Sequence, residues 1–449
     1  MRSEIRDMKT TTSGLDHIQD AIDRDTPLVV VSGDAHVGPL LRQQLRDYCP
    51  APYLERFDEF IVQHEAAQAA ARAAGGVVPH SFPGEDVTKI DGHHDAQAYV
   101  RDMDAEGVAA EVLYHFSQND EPMPFLVNPG GGLGSVPTND LEEGAVGYRM
   151  YNRWLADFVS AAPGRLLGLA YLPMWDIAAA VAELEWAASA GLRGVNFPPP
   201  SRPGHLEYNN PAWEPFWAAC EDLGMTLNTH SGNAAPFDYF GGPGGQDLLV
   251  YECGGWMARR AVWWLIHGRV FENHPKLKLV ITEQFEGWWT STLAEMDVVY
   301  SRFNVLGRES LRKLPSEYAR EHVFLGSSFL SPTLAAEAAL EGYASNVLWG
   351  RDYPHIEGLF HVFDGPSAEH SVSRLSLRHA VSGVPKRAAV QMAGDNAIDV
   401  FGLDRAALTE VAARIGAPTA SELSTPVATR PAVRPLSNAF RGQANPRAL

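Results

Sequence analysis

Apolar residues recur along this chain in short runs, and each run is followed by a stretch of mixed polar and apolar residues. The runs are rich in valine and leucine and carry few charges, which is typical of strands buried on both faces of a parallel sheet. Some intervening stretches have helical spacing and end in glycine, as in "DIAAAVAELEWAASAG" (176–191) and "PAWEPFWAACEDLG" (211–224). The eight runs occupy residues 27–34, 107–117, 165–173, 192–198, 225–230, 277–284, 322–328 and 345–352.

Eight strand and helix repeats in one chain predict an α/β protein with a (β/α)8 (TIM) barrel. The predicted barrel domain spans residues 25–416, after a polar arm at residues 1–24. Two insertions enlarge it: residues 39–99, with a helical segment, and residues 117–140, a Gly/Pro-rich loop expected over the barrel mouth. The tail, residues 417–449, is rich in Pro, Ser, Thr and Ala and is predicted to be a disordered, solvated extension, with packing against a partner subunit as the alternative.

Composition narrows the function classes. The 449 residues are 45% hydrophobic and 20% charged, which is an ordinary globular composition. A formal net charge of −19 argues against nucleic acid or an anionic membrane surface as a partner. The charged N-terminus lacks the apolar core of a signal peptide, and no apolar stretch is long enough to span a membrane. The three cysteines are too scattered for a disulfide framework, so we expect a cytoplasmic protein.

Metal-binding residue types recur where the predicted strands end, and in this fold the chemistry lies at the carboxyl ends of the strands. Asp34 and His36 end the first run and, at positions i and i+2, point to the same side of a strand. His230 after the fifth run and Asp352 after the eighth complete two imidazoles and two carboxylates. Singly, each has a structural explanation, such as a turn cap or a core histidine. Because all four lie at the same rim of the predicted barrel, we expect them to bind one divalent metal ion. Zn²⁺ is the expected ion, and Mn²⁺ and Fe²⁺ are the alternatives.

Two further rim residues are candidates for chemistry beside Asp352. Glu283 ends the sixth run and is interpreted as a general base or an extra ligand, or else as the partner of Arg351 or another rim cation in a salt bridge. His355 is interpreted as a residue that orients substrate or donates to an oxyanion, or else as a surface histidine. We predict Asp352, Glu283 and His355 as catalytic, and Arg351 as an ion-paired residue of the outer layer.

Aromatic residues near the predicted rim indicate a ring-bearing substrate. Trp175, Phe197 and Trp288, together with His205 in a proline-rich loop, are predicted to contact a small-molecule substrate. The alternative for Trp288 and Trp289 is that "GWW" starts a helix and buries its indoles.

Four segments resemble, in order and separation, the amidohydrolase-related family that includes the aminocarboxymuconate-semialdehyde decarboxylase group. They are "SGDAHVGP" (32–39), "LNTHSG" (227–232), "HPKLKLVITEQFEGWW" (274–289) and "WGRDYPHIEG" (349–358). The segment "GDNAIDVFGL" (394–403) is similar to the closing helix of the family, so the resemblance covers residues 27–405.

The resemblance implies a metal site and a homodimer. Its first-strand ligands fall on Asp34 and His36, its fifth-strand histidine on His230 and its eighth-strand aspartate on Asp352. The sequence departs from the family in two places. Glu283 stands where the decarboxylase group has a histidine followed by glycines, and Gly38 stands where many members have a glutamate.

Two reaction classes fit such a site. In a hydrolase, a metal-activated water attacks a carbonyl, with Asp352 or Glu283 as proton acceptor and later donor. In a non-oxidative decarboxylase of an aromatic or unsaturated carboxylate, the ion binds the substrate carboxylate and a neighbouring hydroxyl, and Asp352 protonates the ring carbon. The absence of His-Gly-Gly at 283–285 favours a hydrolase. A barrel that only binds a metabolite is the third alternative, and it requires the rim ligands to be incidental.

Overall fold

Eight parallel strands, hydrogen bonded in chain order, form the central sheet and confirm the predicted (β/α)8 barrel. The structure is a computed structural model that describes residues 16–73, 81–82, 85–86, 89–125, 140–198, 206–231, 248, 250–303, 311–328, 330–360, 371–431, 433 and 437–441. The barrel strands are β1 Val31–His36, β2 Ala110–Tyr114, β3 Leu166–Tyr171, β4 Gly194–Asn196, β5 Thr226–Thr229, β6 Leu279–Thr282, β7 Val323–Ser327 and β8 Val347–Trp349. Every residue of these eight strands is buried, as expected for a sheet covered by helices on its outer face. A separate antiparallel pair of short strands lies at Ser81–Phe82 and Glu85–Asp86.

The barrel closes between β1 and the chain that follows β8. The backbone amide of Asp352 donates to the carbonyl of Asp34 at 3.0 Å, and that of His36 donates to the carbonyl of Tyr353 at 2.6 Å. Ala35 and Tyr353 also form a parallel bridge. The same backbone bonds that close the barrel therefore bring Asp34 and His36 next to Asp352.

Helices surround the sheet and fill most of the connections between strands. They are α1 Asp16–Arg24, α2 Leu54–Ala73, α3 Ala96–Glu106, α4 Leu141–Val159, α5 Ile177–Ser189, α6 Glu214–Asp222, α7 Ala258–His267, α8 Val270–Asn273, α9 Trp289–Phe303, α10 Pro315–His322, α11 Pro332–Leu340, α12 Val372–Val381, α13 Lys386–Val390, α14 Asn396–Phe401, α15 Arg405–Ile415 and α16 Ala420–Leu423. Short 3-10 turns lie at Leu45–Tyr48, Ala51–Tyr53, Asp91–His93, Pro211–Trp213 and Ala344–Asn346, and π-helical turns at Val250–Met257 and Gln391–Asp395. Among the described residues, none of these helices is long and apolar enough to cross a membrane.

Capping residues in the sequence determine where a helix begins and ends before the next strand, and α3 is an example. The Asp95 carboxylate accepts hydrogen bonds from the backbone amides of Gln97 and Ala98 at 2.8 and 2.9 Å, which caps the first turn. Gly107, with φ of 75°, ends the helix in the left-handed conformation that glycine adopts most readily. The chain then enters β2 at Ala110.

The insertions and termini are only partly as predicted. Helix α2 lies in the first insertion, whereas residues 126–139 of the second lie outside the described residues, so its place over the mouth stays a prediction. In the tail, Ala420 and Leu423 are buried, and the Pro418 carbonyl accepts from the amide of Leu28 at 2.9 Å. The first part of the tail is therefore packed against the domain and is not disordered as expected. Composition alone does not show that the few apolar residues of the tail have packing partners in the domain. The domain boundaries at 25 and 416 stay a prediction.

Candidate metal centre

Six buried titratable side chains meet at the carboxyl ends of the strands, and we call them the rim cluster. They are Asp34 and His36 of β1, His230 after β5, Glu283 after β6, and Asp352 and His355 after β8. Two overlapping groups of four have ligand atoms within 4.8 Å of one another, and both groups contain His36 and Glu283. The structure thus brings together all predicted ligands and all predicted catalytic residues, although their roles stay predictions.

Four atoms of the rim cluster face one another. His36 Nε2 lies 3.5 Å from Asp34 Oδ1 and 3.2 Å from Asp352 Oδ1. His230 Nε2 lies 3.5 Å from the same Asp34 oxygen. All four atoms are buried, and none makes a hydrogen bond of good geometry to a described residue, although Asp352 Oδ1 also lies 2.9 Å from His355 Nδ1. Because buried polar atoms are nearly always hydrogen bonded, two unsatisfied imidazole nitrogens and two carboxylate oxygens at one point fit a divalent metal ion.

Backbone carbonyls orient both ligand histidines. His36 Nδ1 lies 2.7 Å from the carbonyl oxygen of His115, and His230 Nδ1 lies 2.8 Å from that of Ser231. A carbonyl oxygen can only accept a hydrogen bond, so Nδ1 carries the proton in each ring. Each Nε2 is thereby presented to the centre, which is the arrangement that metal-binding histidines usually have.

Two serines outside the predicted set of site residues hydrogen bond to carboxylates of the rim cluster. Ser328 Oγ donates to Asp34 Oδ2, which leaves Asp34 Oδ1 directed at the centre. Ser231 Oγ donates to Glu283 Oε2. The signal in the sequence was their position, since Ser328 directly follows β7 and Ser231 comes two residues after β5.

Two carboxylates of the rim cluster lie on unusual backbone. Glu283 and Asp352 have φ of 55° and 54°, in the left-handed region that non-glycine residues avoid at a cost of about 1–2 kcal/mol each. Each follows its strand within a few residues. Residues held in such conformations cluster at functional sites, where the surrounding structure compensates the cost.

Burial and neighbouring charges shift the pKa values of His36, His230 and Glu283 in the rim cluster. Burial, with the charge of His355, lowers the pKa of His36 well below its usual value, which keeps a neutral imidazole suited to a metal. Burial also lowers the pKa of His230, but Glu283 and Asp34 outweigh it and raise that pKa to about 9. Burial raises the pKa of Glu283 to about 8 against the effect of His230. Binding of a metal ion by these residues would therefore displace protons.

His355 lies beside Asp352 and is not a surface histidine. Its ring stacks on that of His36 with centroids 3.7 Å apart and an interplanar angle of 17°. Its Nδ1 lies 2.9 Å from Asp352 Oδ1, and its Nε2 donates to the carbonyl oxygen of Phe116. Burial lowers the pKa of His355, but Asp352 outweighs it and raises that pKa to about 10. His355 is thus a buried cation in contact with the predicted proton carrier.

Arg351 has a partner other than Glu283. Its buried guanidinium forms an ion pair with Glu111, in which Nη2 donates to Oε2 at 2.8 Å. The neighbouring Tyr353 hydroxyl donates to Asp102 at 2.5 Å. Both side chains therefore lie in the supporting layer, as predicted for Arg351. Arg351 is not the partner of Glu283, whose carboxylate instead has His230 as its cationic neighbour, with Nδ1 3.6 Å from Oε2.

Phe197 does not face the centre. Its ring is 1% exposed and lies 5.3 Å from the ring of Tyr208 and 6.5 Å from that of Trp217. Side chains alternate along a strand, so Phe197 is on the side opposite to Asn196 and packs under the helix layer. The structure gives no support to the predicted substrate contact of Phe197.

The other predicted substrate residues are in mixed surroundings. Trp288 is 6% exposed, with the Arg259 guanidinium 4.5 Å from its ring centroid and the Trp289 ring 5.6 Å away. Trp175 is half-buried, 5.7 Å from the ring of Tyr148. His205 lies outside the described residues. Substrate contacts by these three residues stay predictions.

Gly38 is explained by the loop after β2. A Cβ atom at Gly38 would lie 2.8 Å from Ser117 Oγ and 2.9 Å from Asn119 Oδ1. Asn119 Nδ2 also donates to the Gly38 carbonyl at 2.8 Å. Packing of this loop therefore favours glycine where the family resemblance implies a glutamate.

Comparison with known proteins gives this centre a family context. Residues 90–403 match the family described as Amidohydrolase. Gamma-resorcylate decarboxylase from Rhizobium sp. (strain MTP-10005) is 26% identical over 243 residues, which cover 48% of this chain and 68% of that protein. Among solved structures, 5-carboxyvanillate decarboxylase from Sphingomonas paucimobilis is 22% identical, with a TM-score of 0.56, over 84% of this chain and 100% of that one. A dihydroxybenzoic acid decarboxylase from Polaromonas sp. JS666, solved with bound manganese, is 17% identical, with a TM-score of 0.54, over 85% and 99%.

The chain belongs to the amidohydrolase family, which confirms the resemblance and makes it an enzyme of that superfamily. The predicted hydrolase activity is wrong, because these relatives are named as decarboxylases. The hydrolase prediction was based on Glu283, which replaces a histidine of the decarboxylase group. Hydrolases and decarboxylases can use the same ligand set, so this single replacement did not identify the reaction.

Proposed function

We propose that the protein is a metal-dependent, non-oxidative decarboxylase of an aromatic carboxylate with a hydroxyl group next to the carboxylate. The observation that carries this proposal is the set of unsatisfied ligand atoms in the rim cluster, in a chain related to a gamma-resorcylate decarboxylase. Gamma-resorcylate and 5-carboxyvanillate, the compounds named for two relatives, each have a phenolic hydroxyl beside a carboxylate. That shared feature defines the proposed substrate class.

The metal ligands we propose are Asp34, His36, His230 and Asp352, with Glu283 as a fifth. Glu283 belongs to both groups of clustered ligand atoms, which supports a ligand role where the family pattern has histidine. When bound, the ion would offset the negative charge of these carboxylates and attract the carboxylate and hydroxyl oxygens of the substrate. An oxygen-rich set with two imidazoles suits Mn²⁺ as well as Zn²⁺, and two solved neighbours were crystallised with manganese.

Asp352 is the proposed proton donor. Its Oδ2 is buried and makes no hydrogen bond to any described residue, while its Oδ1 lies near His36 and His355. In the proposed reaction, Asp352 takes up a proton from the His355 imidazolium, whose Nδ1 lies 2.9 Å away, and gives it to the ring carbon that bears the carboxylate. The bond between that carbon and the carboxylate then breaks, CO₂ leaves, and the electron pair restores the aromatic ring. The step exchanges one C–C bond for one C–H bond and needs no oxidant.

His355 and the aromatic residues would position the reactants. His355 lies 2.9 Å from Asp352 and stacks on His36, so it restrains both side chains at once. Trp175, half-buried against Tyr148, is the proposed aromatic wall for the substrate ring.

An assay of CO₂ release tests this function. Metal is removed from the purified protein with a chelator, and the protein is reloaded with Mn²⁺ or Zn²⁺. It is then incubated with 2,6-dihydroxybenzoate (gamma-resorcylate), with 5-carboxyvanillate and with the methyl esters of both acids. We expect metal-dependent CO₂ and phenol from at least one free acid, and no methanol from the esters. Ester hydrolysis without CO₂ release overturns the proposal. Protein that binds no metal and retains a metabolite after chelation supports the non-catalytic barrel instead.

A further inference from the structure

Residues 437–441, which we call the C-terminal clasp, lie against the loop that follows β8. The backbone amide of Asn438 donates to the carbonyl of Glu357 at 2.7 Å, and its side-chain amide donates to the same oxygen at 3.2 Å. Ser437 Oγ donates to the carbonyl of Gly358 at 2.8 Å. Three hydrogen bonds thus join the clasp to two successive carbonyls of one loop.

That loop carries His355. The side chain of Glu357 accepts from Gln118 Nε2 at 2.8 Å, and the backbone amide of Ile356 donates to Gln118 Oε1 at 2.8 Å. His355 Nδ1 lies 3.6 Å from Glu357 Oε1. Gln118 therefore holds the side-chain end of Glu357 while the clasp holds its backbone, and His355 lies between this loop and Asp352.

The other end of the clasp reaches the loop that follows β6. The guanidinium carbon of Arg441 lies 4.6 Å from the ring centroid of Phe285, and Arg441 Nη2 lies 3.9 Å from Glu286 Oε2. These residues come directly after Glu283 and Gln284 in the chain. The clasp therefore contacts both of the loops that present Glu283 and His355.

The clasp is itself fixed to the outer helix layer. Phe440 is 8% exposed, its amide donates to Ser376 Oγ at 3.2 Å, and its ring lies 5.9 Å from that of His379. Both partners belong to α12. Because the clasp is fixed to α12, it can restrain the loops that it contacts. A tail without such contacts could not restrain them.

We propose that the C-terminal clasp is a positioning element of the active site, with Asn438 acting on His355 through Glu357 and Arg441 acting on Glu283 through Phe285 and Glu286. The inference rests on the proposed decarboxylase function for its effect on rate. Misplacing a reacting group by about 1 Å can cost about 10²-fold in rate, so loss of the clasp lowers kcat. It leaves metal binding largely intact, because Asp34, His36, His230 and Asp352 have no described hydrogen bond or ion pair with the clasp, and the fifth proposed ligand, Glu283, is reached only through Phe285 and Glu286.

Two truncations form a matched pair. A chain that ends at Leu436 lacks the clasp, and a chain that ends at Arg441 keeps it and loses only the residues beyond it. We expect the shorter chain to lose about 10- to 100-fold in kcat with a KM changed by less than about threefold. We expect it to keep one metal per chain, and we expect the longer chain to match the full-length protein. Equal kcat for both truncations overturns the proposal, and so does a loss of metal in step with activity.

Point variants decide the case if the shorter chain does not fold. Arg441→Ala removes the contact with the β6 loop, and Arg378→Ala is its control, since Arg378 donates to the tail carbonyl of Pro426 at 2.9 Å. We expect a fall in kcat of about tenfold for Arg441→Ala and no change for Arg378→Ala. Equal kcat in the two variants contradicts the positioning role.

Hydrogen exchange separates this inference from the proposed function. Loss of the clasp should speed amide exchange in residues 284–287 and 355–359, whether or not the right substrate has been found. Faster exchange with a wild-type protein that releases no CO₂ rejects the decarboxylase proposal and keeps the structural role of the clasp. Unchanged exchange in the shorter chain rejects the clasp.

Discussion

His36 Nε2 lies 3.2 Å from Asp352 Oδ1, although the two residues come from the first strand of the barrel and from the chain after its last strand. Their proximity follows from closure, because the amide of Asp352 donates to the carbonyl of Asp34. The candidate metal centre therefore lies on the seam of the barrel. An ion bound there would link the two ends of the sheet.

The first prediction concerns the proton donor. Asp352→Asn keeps the shape of the side chain but cannot deliver the carboxylic proton, so CO₂ release should fall by about 10²–10⁴-fold or more. The control is Asp399→Asn on α14, away from the rim, which should keep wild-type kcat. Metal content of both variants is measured alongside. Asp352→Asn protein with more than a tenth of wild-type turnover would reject the assignment.

The second prediction concerns the metal ligands. His230→Ala removes an unsatisfied Nε2 from the centre and should weaken metal affinity by more than the 10- to 100-fold typical of residues behind the ligands. Metal at about 100 times Kd should stabilise the wild-type protein by about 2.7 kcal/mol, and this gain should vanish in the variant. Metal analysis and thermal unfolding measure the two effects, with His267→Ala on α7 as control. An unchanged metal-induced shift in Tm for His230→Ala contradicts the site.

The third prediction concerns the ion pair behind the site. Arg351→Met leaves Glu111 as a buried unpaired charge, which should cost about 3–5 kcal/mol in the free energy of unfolding. The exposed pair of Arg42 and Glu65 provides the control, and Arg42→Met should cost at most about 1 kcal/mol. Urea unfolding measures both. Equal losses for the two variants would show that burial does not govern the stability of the pair.

The fourth prediction concerns pH. Burial raises the pKa of Glu121 to about 7, even though its carboxylate accepts from the amide of Leu41 at 3.1 Å. The unfolded chain releases this proton near about pH 4.3, so the folded state holds more protons between that pH and 7, and stability falls as pH rises through this window. Glu121→Gln removes the penalty and should be more stable than wild type at pH 8, with the advantage absent at pH 4. An advantage that does not change with pH contradicts the account.

Local patterns in the sequence were enough to predict the barrel and all six residues of the rim cluster. The eight apolar runs correspond to the eight strands because a strand buried on both faces needs a continuous apolar run. Asp34 and His36 could be paired from their spacing alone, since alternation puts i and i+2 on one side of a strand.

Features that depend on packing between separate parts of the chain could not be predicted from local sequence. Phe197 has the same local sequence signal as a rim residue, but its ring packs between Tyr208 and Trp217, which come from a later part of the chain. Leu423 and Phe440 lie in a stretch of disordered composition, yet each is buried against the barrel. The reaction was also hidden, because the same ligands serve hydrolysis and decarboxylation.

Isotope labelling of the product tests the central claim most directly. The metal-loaded enzyme is incubated with 2,6-dihydroxybenzoate or 5-carboxyvanillate in D₂O, and in a second run in H₂¹⁸O, and the aromatic product is analysed by mass spectrometry and NMR. Decarboxylation with protonation at the ring carbon predicts one deuterium at the carbon that lost CO₂, and no ¹⁸O in the aromatic product. Recovery of the free acids without CO₂ and without ring deuterium, together with ¹⁸O in the carboxylate formed from their methyl esters, would contradict the account.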